Sequence, residues 1–379
     1  MYIILNCTLF SFYGFKFFNI NYIFIDILLY YQSNFIRSMP VMKKRVSIKD
    51  IAKQLNISIT TVSFVINGKA REKNISESLT KKVLELVAEL NYQPNTLATS
   101  LRTGKTKIIG FLVDDISEPF FSGIARRIDE IASSLGYKIL FSSTRNDTEK
   151  AIELLQIFKD RHVDGYIMAL PEGLEEEVKK LIQTDAPVVL FDRYVQDVKT
   201  DYVIIDNLSS TYEATEHLIK NNYKKIGFVT IDTLQQQMVD RLAGYESAVE
   251  KYNLPAIVKK IKYVNSADSI EEMIKFFKAE KQLDAVVFAA NYICLDGLRT
   301  FRKLGIQIHK DMAVVSFDDF EILEFCEPPV TAIAQPLEAI AENVMKILLN
   351  KLKRVGKPVE NMQVSLPTIL NVRGSSAKQ

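Results

Sequence analysis

The chain has 379 residues, of which 47% are hydrophobic and 25% charged; that is enough for two or three domains with cores of their own and excludes a wholly disordered chain or a disulfide-stapled miniprotein. Cys7, Cys294 and Cys326 show no CxxC spacing, and His162, His217 and His309 stand apart from one another, so neither a disulfide framework nor a structural metal is expected. The net charge of +2 hides an asymmetry: residues 42–105 hold twelve Lys/Arg against five Asp/Glu and residues 106–379 hold 34 against 40, a basic head on an acidic body that points to polyanion binding at one end.

Residues 1–41 differ in character from the rest. Phe, Tyr, Ile and Asn dominate Met1–Tyr31, but Asn6, Lys16, Asn19, Asn21 and Asp26 interrupt it. The uncharged run Met1–Phe15 is shorter than the ~18 apolar residues of a membrane helix. No basic stretch precedes it and no A-x-A-like site follows, so it makes a poor signal peptide. The segment is expected to lie upstream of the working protein, with Met39 or Met42 as the start and no membrane attachment. Met42-Lys-Lys-Arg then opens the basic head in the manner of a DNA-binding arm.

From Ser47 the pattern is helical. Ser47 and Asp50 have capping-box spacing, and Ile48, Ile51, Ala52 and Leu55 share one face of a short helix. Asn56 ends it in a turn that suits the left-handed conformation, and Ser58 caps a second helix over Ile59–Asn67 with Val62, Val65 and Ile66 inward. A third helix from Ser76 carries Leu79, Val83, Leu86, Val87 and Leu90 before Tyr92-Gln-Pro94 stops it. This is helix-turn-helix spacing, although a small three-helix bundle of purely structural purpose would show the same periodicity. The exposed side argues for function. Ser58, Thr60, Thr61, Ser63 and Asn67 offer hydroxyls and an amide suited to phosphates and base edges, ringed by Lys43, Lys44, Arg45, Lys49, Lys53, Lys69, Arg71 and Lys73.

After Pro94, Asn95 can cap a helix that Gly104 closes, but so short a helix is marginal alone and is expected to fold conditionally. Val46-Ser-Ile-Lys-Asp-Ile-Ala, Ser58-Ile-Thr-Thr-Val-Ser, Asn91-Tyr-Gln-Pro-Asn and Leu101-Arg-Thr-Gly-Lys-Thr resemble the DNA-binding head and hinge of the LacI/GalR (lactose and purine repressor) family. The resemblance implies a second helix in the major groove, with Ile59, Thr60 and Phe64 at base-reading positions. It implies further DNA contacts at Ser47, Tyr92, Asn95 and Ala98, and a minor-groove wedge at Leu101. Phe64 departs from the family, where arginine is commoner, and this removes an expected guanine contact. Gly104-Lys105-Thr106 is no P-loop, because Thr99 stands where that motif requires glycine.

The body alternates strands and helices. Ile108–Val113, Tyr137–Phe141, Val163–Met168 and Pro187–Phe191 are short apolar runs separated by helix-length amphipathic segments, the mark of a parallel sheet buried on both faces. Tyr202–Ile205, Lys225–Val229, Ala285–Phe288 and Met312–Phe317 repeat the rhythm, so two doubly wound lobes are expected. The last helix, Leu337–Lys353, is expected to cross back to the first lobe. The arrangement resembles the periplasmic-binding-protein fold of the family's effector domain. The expected class is thus an all-α helix-turn-helix head plus an α/β body. The expected units are 42–92 (head), 93–105 (hinge helix) and 106–379, with lobe 1 about 106–191 and 333–354 and lobe 2 about 192–332 and 355–373.

Ligands of open parallel sheets gather at strand carboxyl ends. Those ends carry Asp114-Asp115 with Ser117, Phe120 and Phe121; Ser142-Ser143; Asp192-Arg193; Thr230; Asn291; and Asp318-Asp319, joined by Arg241. Carboxylates, an amide and arginines beside aromatic rings suit a polyhydroxylated ligand, though any one of these aspartates could simply cap the following helix. Asp114, Phe120, Phe121, Ser142, Arg193, Arg241, Asn291 and Asp318 are therefore the expected effector-binding residues. The family pattern recurs in Glu118-Pro-Phe-Phe, Phe191-Asp-Arg193, Arg241-Leu-Ala-Gly-Tyr, Ser316-Phe-Asp-Asp and the return crossing Pro329–Pro336. Tyr292 departs from it, because an aspartate usually follows that asparagine. The effector is accordingly expected to be larger, less hydroxylated or differently oriented than a simple hexose.

No G-x-S-x-G elbow, HExxH, Walker A or G-x-G-x-x-G after a strand appears, and Asp318 and Asp319, adjacent in sequence, point in different directions. No enzyme activity, cofactor or metal is expected. The expected protein is a cytoplasmic, nucleoid-associated, homodimeric repressor of roughly palindromic operator DNA, controlled by a small carbohydrate-like molecule between the lobes. A periplasmic or membrane-tethered solute-binding protein anchored by Met1–Tyr31 is the alternative, and it leaves the basic head without a purpose.

Overall fold

The computed structural model describes residues 46–93, 100, 103–195, 198–353 and 360–377. Residues 1–41, and with them Asn95, Ala98 and Leu101, lie outside the described residues.

The head consists of α1 (Ile48–Gln54), α2 (Ile59–Ile66) and α3 (Glu77–Glu89). Each helix begins where a hydroxyl can take over an orphan amide or engage a partner carboxylate. Ser58 Oγ accepts from the Thr61 N–H at 3.0 Å, and Ser76 Oγ from the Leu79 N–H at 3.3 Å. At α1 the serine is the donor: the Ser47 N–H and Oγ both donate to Asp50 Oδ2, at 2.8 and 2.7 Å. Asn56 adopts φ +53° between α1 and α2, the left-handed turn its side chain tolerates. Ile51, Ala52, Val62, Val65, Val83 and Leu86 form the buried core.

Of the 93–105 segment, Gln93, Ser100 and Thr103–Lys105 are described. The Gly104 N–H donates to the Ser100 carbonyl at 2.8 Å with φ +66°, a left-handed close that only glycine adopts without strain.

The body runs β1 (Ile108–Val113), α4 (Pro119–Ser134), β2 (Lys138–Ser143), α5 (Thr148–Asp160), β3 (Gly165–Met168), α6 (Glu175–Gln183), β4 (Val188–Phe191), β5 (Asp201–Ile205), α7 (Asn207–Lys220), β6 (Ile226–Ile231), α8 (Gln236–Lys251), β7 (Ile257–Ile261), α9 (Ser266–Ala279), β8 (Ala285–Phe288), α10 (Asn291–Leu304), β9 (Ala313–Phe317), a 3-10 turn (Glu321–Phe325), β10 (Thr331–Ala334), α11 (Leu337–Lys353), β11 (Gln363–Leu366) and β12 (Ile369–Asn371). One sheet has the order β11-β5-β4-β3-β1-β2, the other β12-β10-β9-β8-β6-β7. Both are doubly wound and parallel apart from β12, which lies antiparallel on β10. The rings of Phe121, Phe191 and Phe111 pack in series in the first lobe, and Phe228 stacks on Tyr245 in the second.

The lobe boundaries differ from those read in the sequence. β5 pairs with β4, Leu190 opposite Tyr202, and β11 pairs with β5. Both strands therefore belong to the first lobe, not the second. The link from β4 to β5, residues 192–200, contains no helix among its described residues. A parallel pair normally requires a helical crossover, so a helix-free link reads as a boundary. α11 does pack on the first sheet, against β3, β4 and β5, as expected. The chain passes between the lobes at Asp206, at Gln335–Pro336 and at Pro367–Thr368. Asp206 and Leu366 are joined there by a backbone bond of 3.1 Å, and Thr368 Oγ1 donates to Ser210 Oγ at 2.7 Å.

Candidate functional site

On the head, α2 turns Val62 and Val65 inward and leaves Ser58, Ile59, Thr60 and Asn67 exposed, Ile59 at 44%. Thr61 and Ser63 are partly covered, and both residues have local partners: Ser58 Oγ and Thr61 Oγ1 lie 2.8 Å apart, and Asn67 Nδ2 donates to the Ser63 carbonyl at 2.7 Å. Ser58 and Asn67 are thus exposed but locally bonded, and Ile59 and Thr60 are exposed beside them. Phe64 is half-buried, with Lys73 Nζ 5.4 Å from its ring centroid, so this position presents an aromatic face with a cation over it in place of a guanidinium fork. Ser47 engages Asp50, and Tyr92 packs on the head's core.

In the body, the order of each sheet places its switch point between the first and third strands of the lobe, β1/β3 and β6/β8, where ligands of this architecture collect. Arg193, just past β4, is 7% exposed. It donates to Asp114 Oδ2 at 2.6 Å, to Asp192 Oδ2 at 3.2 Å and to the Leu170 carbonyl at 2.8 Å. Burial works against its charge, yet Asp114 and Asp192 more than offset this and hold its pKa above the ordinary arginine value. For Asp114 burial dominates and raises the pKa, against the opposing pull of Arg193.

Arg241, on α8, donates through Nε to Asn207 Oδ1 and through Nη1 to the Ala289 carbonyl, both at 2.8 Å, and lies 3.5 Å from the centroid of the Phe317 ring. The motif around it has a steric reason. A Cβ on Gly244 would meet the Leu208 carbonyl oxygen at 2.2 Å, so glycine lets α8 press against α7 and brings Arg241 to Asn207 at the start of that helix. Asp318 sits at φ +69° after β9 and accepts from Gln335 Nε2 at 2.5 Å. Burial raises its pKa and the nearby Arg241 opposes the rise. Asn291 opens α10 and donates to Glu118 Oε2 at 3.0 Å, a bond from the second lobe to the first.

Phe120 lines a small space of about 30 Å³ with Asn291, Asp318 and Gln335. Two expected residues stand elsewhere. Phe121 is core: one residue further around α4, it packs on Phe191. Ser142 lies within β2, opposite Leu112, rather than beyond the strand's end, because β2 runs two residues past the apolar stretch that announces it. Asp319, adjacent to Asp318, is held by Arg373 and Asn371.

Asn207 and Tyr263 belong to this network and were missed in the sequence, where Glu118 and Gln335, also part of it, stood inside family motifs but not among the expected effector-binding residues. Tyr263 follows β7 and meets Tyr292 edge-on with centroids 4.8 Å apart. Burial, aided by Asp296 and Glu118, pushes its phenol up to about 12. Recognising β7 as a strand would have exposed it.

The lobes touch through further polar bonds. Glu172 Oε1 accepts from Thr233 Oγ1 at 2.5 Å and from the Leu234 N–H at 3.0 Å, and Gln235 Nε2 donates to Asn146 Oδ1 at 2.9 Å. A cavity of about 290 Å³ lies beside them, bordered by Glu172, Glu175, Arg193, Tyr194, Leu234 and Gln235.

Residues 47–95 match the bacterial regulatory proteins of the lacI family, and residues 215–376 match the periplasmic binding protein-like domain. The chain is 32% identical over 313 residues to the HTH-type transcriptional regulator RegA of Clostridium saccharobutylicum, covering 81% of this chain and 93% of that one. It is 28% identical to catabolite control protein A of Priestia megaterium over 338 residues, 87% of this chain and 99% of the relative. Among solved structures, the lac repressor dimer bound to operator and the anti-inducer ONPF superposes with a TM-score of 0.76 at 22% identity, over 88% of this chain and 99% of that one. The regulator CelR in complex with cellobiose gives 0.64 at 24%, over 88% and 100%. The matching head removes the solute-binding alternative. The chain belongs to the LacI/GalR family and is a DNA-binding transcriptional regulator with an effector-binding body.

Proposed function

We propose that the protein is a cytoplasmic homodimeric repressor without catalytic activity, whose effector is a small, neutral, carbohydrate-like molecule held between the lobes. The observation that carries the effector reading is the set of polar bonds from one lobe to the other: Asn291 to Glu118, Gln235 to Asn146, and Thr233 to Glu172. A hydroxylated molecule that engages these partners changes how the lobes close. It can shift an equilibrium only by its differential affinity for the two closures. The cellobiose bound by the structural neighbour CelR supports the carbohydrate class. A two-fold dimer reads two half-sites of a roughly palindromic operator. Asp319 is engaged by Arg373, so it and Asp318 do not form a pair around a reacting bond, which supports a binding role for Asp318.

The test is a thermal-shift screen of sugars followed by operator mobility-shift assays. A sugar present at 100 Kd adds ~2.7 kcal/mol of stability, and the same sugar should alter operator affinity. In Arg193→Ala the operator response to that sugar should vanish while ligand-free operator affinity stays. A sugar that stabilises the body and leaves operator binding untouched would overturn the regulatory reading.

A further inference from the structure

Among the residues expected to bind the effector, Arg193 is bonded to Asp114, while Arg241, Asn291 and Asp318 are taken up by Asn207, Glu118 and Gln335, and the space that Phe120, Asn291 and Asp318 line is about 30 Å³. That is room for a water or a hydroxyl, not for a ring. Tyr292 stands beside the charged members of this set. Its side chain is partly buried, its ring meets Tyr263, and the charges of Arg241, Arg193 and Asp114 all act on its phenol. A ring thus stands among the charged groups where the family more often has a carboxylate.

The cavity of about 290 Å³ that borders Arg193 is different. Its size is at the lower end of ligand pockets, and both lobes build it. Exposed Glu172, Glu175 and Leu234 place it nearer the surface. Tyr194 forms one side and is backed by Tyr202, centroids 4.8 Å apart and rings 23° from parallel, which makes it a stiff flat surface. Glu172 Oε1 takes the two bonds from Thr233 and Leu234, while Oε2 accepts none among the described residues. An aromatic face beside carboxylate acceptors suits the C–H face and hydroxyls of a sugar ring.

We propose that the body of the effector lies in this cavity, stacked on Tyr194 and hydrogen-bonded to Glu172, and that Tyr292 is the residue that keeps it from going deeper. The inference rests on the carbohydrate reading above and specifies where that ligand is read. It also couples binding to closure, because Glu172 is at once a ligand contact and the acceptor of the bonds from the other lobe.

The sequence contains no tryptophan, so Tyr194→Trp gives a full-length protein with a single indole fluorophore, placed in the cavity. The probes are D-ribose, D-xylose, D-glucose, D-galactose, maltose, cellobiose, lactose and sucrose, first tested for a rise in melting temperature of the parent. The sugar that raises it should change the indole emission of Tyr194→Trp saturably. It should bind Glu172→Gln about tenfold or more weakly, the effect of losing a contact to a charged group, and Tyr194→Ala more weakly through loss of the stacking face, with the sugar-free melting temperature little changed. If the sugar stabilises the parent while the indole emission stays constant, and Glu172→Gln and Tyr194→Ala bind like the parent, the placement is overturned and the effector reading stands. If no sugar stabilises the parent or moves the indole emission, the carbohydrate reading falls, and this inference falls with it.

Discussion

Arg373, close to the C-terminus, holds both carboxylate oxygens of Asp319, Nη1 to Oδ1 and Nη2 to Oδ2, each at 2.8 Å. The tail thereby fixes the loop that carries Asp318. The fork also reaches the Val330 carbonyl and Glu324, both at 2.9 Å.

A lysine cannot reproduce this fork. Arg373→Lys should destabilise the body by about 1.5–3 kcal/mol, the range for hydrogen bonds to charged groups, as read by urea denaturation. An unchanged midpoint would mean that Asn371, bonded to Asp319 at 2.7 Å, holds the loop alone.

Gly244→Ala should be costly despite the excellent helix propensity of alanine. The added methyl meets backbone, the Leu208 carbonyl and the Tyr212 amide, not a flexible side chain. Separating α7 from α8 should cost about 1–3 kcal/mol and loosen the Arg241 bond to Asn207. A melting temperature equal to that of the parent would show that the two helices part at no cost.

His217 ties the tail to α7: its Nε2 lies 2.9 Å from Ser376 Oγ, which in turn sits 2.6 Å from Thr331 Oγ1. Burial lowers its pKa below the usual 6.5, against the opposing bond from Ser376. Below the unfolded value the unfolded chain binds a proton that the native ring refuses, so the contribution to stability is present above about pH 6.5 and is lost as the pH falls through the native value. The protection factors of the amides of 373–377, that is, exchange rates corrected for the intrinsic fall with pH, should drop on acidification across this window. In His217→Gln that dependence should flatten.

On the head, Phe64→Arg should create a guanine preference at one operator position, worth about 1–3 kcal/mol of discrimination, measured against a panel of base-substituted operators. The parent should show no such preference there. Its affinity should nonetheless fall by roughly 10³–10⁵ between 50 and 200 mM salt if the dimer meets 6–10 phosphates.

Much of the architecture was legible because buried parallel strands are written as unbroken apolar runs: Ile108–Val113 and Ala285–Phe288 were read to the residue. β7, Ile-Val-Lys-Lys-Ile, was not, because an edge strand keeps lysines on its outer side. The allocation of β5 and β11 to the first lobe was hidden for another reason: pairing partners distant in sequence leave no local signal. At the site, charged residues at strand ends announced themselves, as Arg193 and Asp318 did, and Arg241 did so through its motif on α8. Asn207, the partner of Arg241, did not, and Glu118 and Gln335 stood only inside family motifs with no partner assigned, because an amide or carboxylate acquires its role only from the side chain that folding brings to it. Ser142 and Phe121 show the converse limit, where a shift of one or two residues moves a side chain from cleft to strand or core.

Gln335 is part of one of the three covalent passages between the lobes, and it also donates to Asp318. Three passages lying side by side, with Asp206 bonded to Leu366 and Thr368 to Ser210, behave as a piano hinge: they permit turning about one line and resist sliding or pulling apart. The aspartate is thus mounted on the pivot itself, where a small angular change costs little displacement. The same angle produces a travel that grows with distance from that line, so a sub-ångström adjustment at Asp318 becomes a stroke of several times that size at the outer rim of either lobe.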